Sequence, residues 1–278
     1  GRWLASASDD ATVRMWNLSR IDSQAAFGVL NGHHGGVYEV TFVPGSNTVV
    51  SAGWSDHTLR FCDAVSGELL RTAEGTVGNI ERIACSPDGR RLAIGGYGLS
   101  LIAVESGAST ALGHAGDRVR SLVFSGDGMQ VVSTATRGAR NGIVRAWDIT
   151  AFSMIEERVF EGDVLAAVCP GGGLHGSGAG GIYIAVLRGP DSRLVDWATR
   201  EEVCRFAGHA GKVERIRFSP DGARFLTAAH DKTIGVWDTR TGVQLAVLRG
   251  HTEKVYDAIF SPDGTRIASA SNDNTLRI

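Results

Sequence analysis

The side chains best suited to chemistry in this sequence come in recurring sets. A histidine, a hydroxyl residue and an aspartate follow one another as His33, Ser51 and Asp56, again as His209, Thr227 and Asp231, and again as His251, Ser269 and Asp273. These are the components of an acyl-transfer triad, in which the imidazole takes the proton of an attacking hydroxyl and the carboxylate orients the ring. One such triad suffices for catalysis, and its nucleophile has to be exposed. Here the combination returns along the chain, and a tryptophan caps it, as Trp237 follows Asp231. Repetition of that kind points to a structural element, and on this reading no residue is catalytic. The eight histidines are likewise dispersed, so no metal-ligand cluster is expected.

Other motifs are weaker. Residues 171–181, GGGLHGSGAGG, put Gly176, Gly178 and Gly181 in a G-x-G-x-x-G arrangement. A dinucleotide loop of that pattern must join a strand to a helix. Here the strand-like run IYIAVL follows, so the stretch reads as a long turn, His175 and Ser177 in it have no visible partner, and no cofactor is expected. Cys62, Cys85, Cys169 and Cys204 form no CxxC pair and read as free thiols. That favours a reducing compartment, and a cytoplasmic location is the expectation.

These residues are positioned by a repeat. Residues 208–222 read GHAGKVERIRFSPDG and residues 250–264 read GHTEKVYDAIFSPDG, an offset of 42. Residues 113–128 and 32–46 give looser copies, and residues 79–89 a copy without Gly-His. The SPDG-type turns begin at Val43, Ser86, Ser125, Ser219 and Ser261, and the wide gap before Ser219 leaves room for a degenerate unit over 163–207. After each turn come a second strand (RFLTAAHD, RIASASND), a third (TIGVWD, TVRMWN) and a more variable fourth (VQLAVLRGH). The runs are short, rich in β-branched residues and bounded by Asp-Gly or Thr-Gly turns, which excludes helices. A four-stranded unit cannot bury both its faces alone, whereas stacked units can.

Gly-His, SPDG, a Ser/Thr, an Asp and Trp-Asp at a period of 40–45 residues resemble the WD-repeat family, and the resemblance covers essentially the whole chain. It implies an all-β fold, a seven-bladed WD-repeat β-propeller with incomplete first and last blades. The expected organisation is one domain over 1–278, with blades at 1–31, 32–75, 76–112, 113–162, 163–207, 208–249 and 250–278. In that family the His, Ser/Thr, Asp and Trp of a blade form a buried hydrogen-bonded set. Residue by residue, the sixth blade has the full set (His209, Thr227, Asp231, Trp237). The first has Ser6, Asp10 and Trp16. The second has His33, Ser51 and Asp56, with Cys62 at the Trp position. The fourth has His114, Ser133 and Trp147, with Asn141 for Asp. The seventh has His251, Ser269 and Asp273. The third has Ile94 and Ile102 at the Ser and Trp positions, and the fifth also lacks the set.

The resemblance also places ligand contacts on the face carrying the Gly-His loops. The position after the Val that follows Gly-His gives Tyr38, Arg120, Glu214 and Tyr256, with Glu81 and Leu165 as equivalents in the degenerate blades. Trp54, before the Ser-Asp of the second blade's turn, joins this face. So do Arg137 and Arg140 of the lengthened loop TRGARNG, suited to an acidic peptide or phosphate. Tyr38, Trp54, Glu81, Arg120, Arg137, Arg140, Glu214 and Tyr256 are the expected partner-binding residues.

Composition bounds the function. Of 278 residues 43% are hydrophobic, enough for a substantial core, and the 37 glycines against 6 prolines suit many tight turns. Net charge is −2, with no basic excess to neutralise phosphates, so nucleic acid is not the expected partner. No apolar stretch is long enough for a membrane span, and Gly1 opens no visible signal peptide. The chain opens at a second strand and stops at TLRI, inside a last blade. The expectation is therefore a window from a longer protein in which it is fused to other domains. The expected function is a non-catalytic scaffold for proteins or peptides. The first alternative is a regulatory or sensor module controlling a fused kinase or nucleotide switch. The second is a propeller enzyme, for which the channel positions supply only Glu81 and Glu214 as acids.

Overall fold

The computed structural model describes residues 3–18, 28–75, 77–113, 116–137, 141–169 and 181–278. Seven antiparallel sheets follow the chain in order, each with its strands hydrogen-bonded in sequence order. The first holds β1 (Trp3–Ala7), β2 (Val13–Asn17) and β3 (Gly28–Leu30). The second holds β4 (Val37–Phe42), β5 (Thr48–Gly53), β6 (Thr58–Asp63) and β7 (Leu69–Glu74). The third holds β8 (Arg82–Cys85), β9 (Arg91–Gly95), β10 (Leu99–Ala103) and β11 (Ser109–Gly113). The fourth holds β12 (Val119–Phe124), β13 (Gln130–Arg137), β14 (Asn141–Asp148) and β15 (Ser153–Glu161). The fifth holds β16 (Asp163–Cys169), β17 (Gly181–Leu187), β18 (Arg193–Asp196) and β19 (Glu202–Arg205). The sixth holds β20 (Val213–Phe218), β21 (Arg224–Ala229), β22 (Ile234–Asp238) and β23 (Gln244–Leu248). The seventh holds β24 (Val255–Phe260), β25 (Ile267–Ser271) and β26 (Leu276–Arg277). The architecture is all-β, a seven-bladed propeller whose first and last blades carry three strands.

The chain divides into two compact units. One comprises Gly1–Phe124, Gly128–Ala135 and Arg145–Glu157; the other comprises Ser125–Asp127, Thr136–Val144 and Arg158–Ile278. Within the first, Phe61, Ile80, Leu92 and Ile102 knit the second sheet to the third, and Leu101, Phe124 and Trp147 knit the third to the fourth. Within the second, Tyr183, Leu194, Phe206, Phe225 and Trp237 fill the space between the fifth and sixth sheets, and Phe225 stacks on Trp237 with ring centroids 6.1 Å apart. Middle strands are buried on both faces, as in β21, while the outer strand β23 is exposed along its length. That gradient is why apolar residues fill both faces of the second and third strands of each repeat.

The S-P-D-G turns set the register. In 219–224 the Asp221 carboxylate accepts the Ser219 hydroxyl and the Ala223 N–H (3.0 Å), and the Ser219 oxygen in turn accepts the Arg224 N–H (2.9 Å). Residues 261–266 repeat the pattern. Gly222 and Gly264 have φ of +70° and +68°, a left-handed conformation that glycine adopts without steric cost. Among the described residues no helix is long and apolar enough to cross a membrane.

The four thiols are free, and Cys62, Cys169 and Cys204 are buried. Burial pushes Cys85, Cys169 and Cys204 up to about 11, with Asp88 beside Cys85, Asp221 beside Cys169 and Asp238 beside Cys204 adding to the shift. At pH 8 only about a thousandth of such thiols would be thiolate, the reactive form. Titration with a thiol-specific disulfide reagent at that pH should therefore give a small, slow release from the native chain and all four thiols in concentrated guanidinium. A rapid full titre from folded protein would contradict this packing.

Candidate interaction site

The structure brings the recurring polar residues together. In the sixth sheet His209 Nδ1 lies 2.9 Å from Asp231 and its Nε2 lies 2.6 Å from the Thr227 hydroxyl, which also accepts the Trp237 indole N–H at 2.7 Å. A neutral ring protonated on Nδ1 satisfies every member. Asp231 accepts from His209, Thr227 donates to His209, and Trp237 donates to Thr227. The second sheet repeats the pattern with His33, Asp56 (2.8 Å) and Ser51 (2.8 Å), and the seventh with His251, Asp273 (2.8 Å) and Ser269 (2.9 Å). In the first sheet the tryptophan likewise donates to the hydroxyl, Trp16 to Ser6 at 2.9 Å. Trp147 donates to Ser133 at 2.9 Å in the fourth. His114 lies outside the described residues. Gly113 and Gly208 must be glycine because a Cβ there would come within 2.6 Å and 3.0 Å of the Trp147 and Trp237 rings.

These contacts are those of an acyl-transfer triad, yet Ser51, Thr227 and Ser269 are at most 6% exposed. Their hydroxyls already serve the histidine, so a substrate carbonyl has no approach to them. Among the described residues no group of three or more histidine, cysteine or carboxylate side chains is placed to hold a metal ion.

A member of the set that sequence reasoning missed is the threonine two residues after the aspartate. Thr58, Thr233 and Thr275 each donate their hydroxyl and N–H to Oδ1 of Asp56, Asp231 and Asp273. Thr12 does the same to Asp10, which Arg14 also contacts at 2.6 Å. The residue between takes the left-handed conformation: Ala11, His57, Lys232 and Asn274, with φ from +56° to +72°. The recurring D-x-T was the available signal, since an aspartate that caps its own chain two residues on stabilises such a turn.

The expected partner-binding positions are set by a second local device. In four sheets the inner strand slips register by one residue near its start, between Val37 and Glu39, Val119 and Ser121, Val213 and Arg215, and Val255 and Asp257. The extra residue in each bulge is Tyr38, Arg120, Glu214 or Tyr256. A bulge re-aims the side chain it inserts. Tyr38 is 43% and Tyr256 47% exposed. Tyr38 stacks on Trp54 with ring centroids 5.6 Å apart, and Trp54 is held by its N–H to the Gly36 carbonyl at 2.9 Å. Arg120 is half-buried and its carbonyl accepts from Arg82 at 2.7 Å. Glu214 is buried, with Lys212 and His230 both 2.9 Å from one of its oxygens, and Tyr256 meets the His230 ring edge-on at 6.3 Å. Arg137 is exposed at the end of β13, and Arg140 lies outside the described residues.

Glu81 is placed differently from the expectation of an exposed contact. It is 3% exposed, its N–H bonds to the Gly95 carbonyl, and its carboxylate takes Arg118 Nε at 2.6 Å. The pairing of β8 with β9 begins at Arg82, so Glu81 stands just ahead of its strand and faces inward. Leu165, the position counted as its equivalent in the fifth sheet, lies within β16, where it pairs in register with Ala185 and is buried. What the chain exposes here is Arg118, half-exposed and within electrostatic reach of Tyr38 and the exposed Tyr97. The glycine-rich stretch lies outside the described residues, apart from Gly181.

Five stretches, 1–17, 26–63, 108–148, 200–238 and 242–278, together more than half of the chain, match the family model of the WD domain, G-beta repeat. The chain belongs to the WD-repeat family. It is 27% identical over 269 residues to a guanine nucleotide-binding protein subunit beta of Arabidopsis thaliana, covering 86% of this chain and 67% of that protein. To autophagy-related protein 16 of the same plant it is 27% identical, covering 76% of this chain but only 40% of that protein. To the serine-threonine kinase receptor-associated protein of Gallus gallus it is 25% identical, over 87% of this chain and 77% of that protein. The unmatched stretches of this WD-repeat chain include the third sheet's first three strands and β16–β18 of the fifth, where the polar set is replaced by Ile94 with Ile102 and by Val186 with Val195, all buried.

Two predictions follow from these bonds. Asp231→Ala leaves the buried His209 Nδ1–H unpaired and should cost about 1–3 kcal/mol in urea unfolding; a neutral change would mean the bond is not formed. Acid should also destabilise the chain in two stages. Burial pushes the Asp56 carboxyl up, but the N–H groups of His34 and Thr58 and the His33 ring outweigh it and hold it at about 2, against an ordinary 3.8. A depressed aspartate stabilises the fold above pH 3.8, and that stability is lost as pH falls towards 2. His33 is pushed below its ordinary 6.5 by burial, against the pull of Asp56. The unfolded ring therefore protonates first, and stability declines once pH drops below 6.5. The urea midpoint should start to fall below pH 6.5 and fall further below 3.8; a midpoint that rose on acidification would contradict both assignments.

Proposed function

We propose that this WD-repeat chain is a non-catalytic scaffold that holds polypeptide partners through the side chains its inner-strand bulges and neighbouring turns expose. One observation carries the reading. The residues able to do acyl-transfer chemistry are sealed in hydrogen-bonded braces, whereas Tyr38, Trp54 and Tyr256 stand exposed at the loops. Large, stiff aromatics of this kind supply contact area at low entropic cost and are enriched among interface residues that dominate binding. Relatives named as a G-protein β subunit and a kinase receptor-associated protein support a setting in signalling, and the four free thiols suit a cytoplasmic one. The partners proposed are proteins or peptides, and no cofactor is invoked.

The test is affinity capture with the immobilised chain, comparing it with a Tyr38→Ala, Arg120→Ala, Tyr256→Ala variant of unchanged thermal stability. Captured proteins should fall at least about tenfold, the scale expected when anchoring side chains are truncated. Undiminished capture by the triple variant would place binding elsewhere. The chain should turn over no ester or amide substrate: turnover abolished by Thr227→Val would make the sixth set catalytic, and turnover that survived the change would place a catalytic centre elsewhere, either of which would end the non-catalytic reading.

A further inference from the structure

The chain contains three lysines among its 28 basic residues, Lys212, Lys232 and Lys254, and all three lie at one corner of the last two sheets. Lys212 directly precedes β20, Lys232 sits in the β21–β22 turn, and Lys254 directly precedes β24. Within each sheet a backbone bond ties the lysine's loop to the turn after the second strand, and an ion pair links the two sheets. The His230 N–H donates to the Lys212 carbonyl, and the Asn272 N–H donates to the Lys254 carbonyl, each at 2.9 Å. The Lys232 ammonium lies 3.7 Å from Glu253, the residue next to Lys254. All three side chains are exposed. Their compensation is incomplete: Lys212 meets Glu214 at 2.9 Å, Lys232 meets Glu253 at the longer 3.7 Å, and Lys254 makes no ion pair among the described residues. Glu214 is shared further with His230, 2.9 Å from the same oxygen.

Beside Lys212 the fifth and sixth sheets leave a pocket of about 160 Å³. Leu187, Phe206, Val213 and Trp237 supply apolar lining, and Gly208 and Gly211 on the loop leave it without side-chain obstruction. Asp163, also on the wall, already accepts the Thr136 hydroxyl at 2.8 Å. A cavity of about 150 Å³ holds a benzene molecule, so this one suits a single leucine- or phenylalanine-sized side chain.

We infer that this corner receives an acidic polypeptide segment, one large apolar side chain entering the pocket while flanking carboxylates meet Lys212, Lys232 and Lys254. The inference rests on the scaffold reading and specifies the chemistry of a partner. Exposed ion pairs are individually weak, so the pocket supplies the anchor and the lysines supply selection among anchored sequences. An ammonium is a compact charge with rotatable donors, which suits carboxylates whose positions vary.

The experiment selects a random dodecapeptide display library on the folded chain, then measures recovered peptides by fluorescence anisotropy at two salt concentrations. The expected motif is two or more Asp or Glu residues around one Leu, Ile or Phe. Affinity should fall at least tenfold in K212E/K232E/K254E and stay within about threefold in the K212R/K232R/K254R variant, whose thermal stabilities are checked first. Ala207→Trp, on the exposed rim of the pocket, should abolish the preference for the apolar residue while leaving the salt dependence. Recovered peptides without acidic enrichment, or binding unmoved by charge reversal, would overturn this proposal and leave the scaffold reading intact. Recovery of no peptide would overturn both. A phosphoserine peptide binding more than tenfold above its glutamate counterpart would overturn the carboxylate assignment in favour of phosphate.

Discussion

A buried hydrogen-bond donor must have an acceptor, and this requirement organises each sheet. An unmade bond in the interior costs the full desolvation of the group, whereas replacing both partners by apolar groups of similar shape costs little. The seven sheets follow that asymmetry. His209, Asp231, Thr227 and Trp237 form a complete chain of donors and acceptors. In the second sheet a buried cysteine stands at the tryptophan position, and Ser51 serves His33 alone; in the first, Ser6 serves Trp16 alone. In the third and fifth sheets hydroxyl and indole vanish together, leaving Ile94 with Ile102 and Val186 with Val195. No described sheet keeps the indole and loses the hydroxyl.

The same logic separates a brace from a catalyst. The three histidines touch carboxylate through Nδ1 and hydroxyl through Nε2, the connectivity of an activated serine. What differs is access. Thr227 is fully buried, and its oxygen accepts from Trp237 while its proton goes to His209. Depressing the aspartates by donated N–H groups serves the fold: an ionised Asp56 holds the His33 ring and the His34 and Thr58 amides at once.

The strands and braces were legible because they repeat: S-P-D-G, the Gly-His and the Trp-Asp recur at nearly fixed intervals, and each copy corroborates the others. The D-x-T turn was equally periodic, yet it drew no attention because threonine in a strand needs no special explanation. Legibility failed where a repeat lost its landmarks. Glu81 belongs to a copy that lacks Gly-His, and β8 pairs only from Arg82 onward, so nothing in the repeat marks which way the residue ahead of it faces. The side chain turns inward, and Arg118 closes over it from the loop before β12. Arg118 holds the place of Lys212 and Lys254, the basic residue directly before the inner strand.

The bulge explains how one scaffold tolerates unlike residues at equivalent positions. A side chain within a paired register is constrained on both faces of its strand, and a one-residue slip would send the whole strand's apolar set to the wrong face. The bulged residue is counted out of that register. Two tyrosines, Tyr38 and Tyr256, a cation, Arg120, and a carboxylate, Glu214, occupy the same local position, and each is followed by a strand whose pairing with its neighbour is otherwise the same. Stability resides in the residues before and after, where Val37, Val119, Val213 and Val255 are all buried. Sequence change at the bulge can therefore alter what a sheet presents without disturbing how it folds: Tyr38 and Tyr256 stand exposed there, whereas Glu214 folds in against Lys212 and His230.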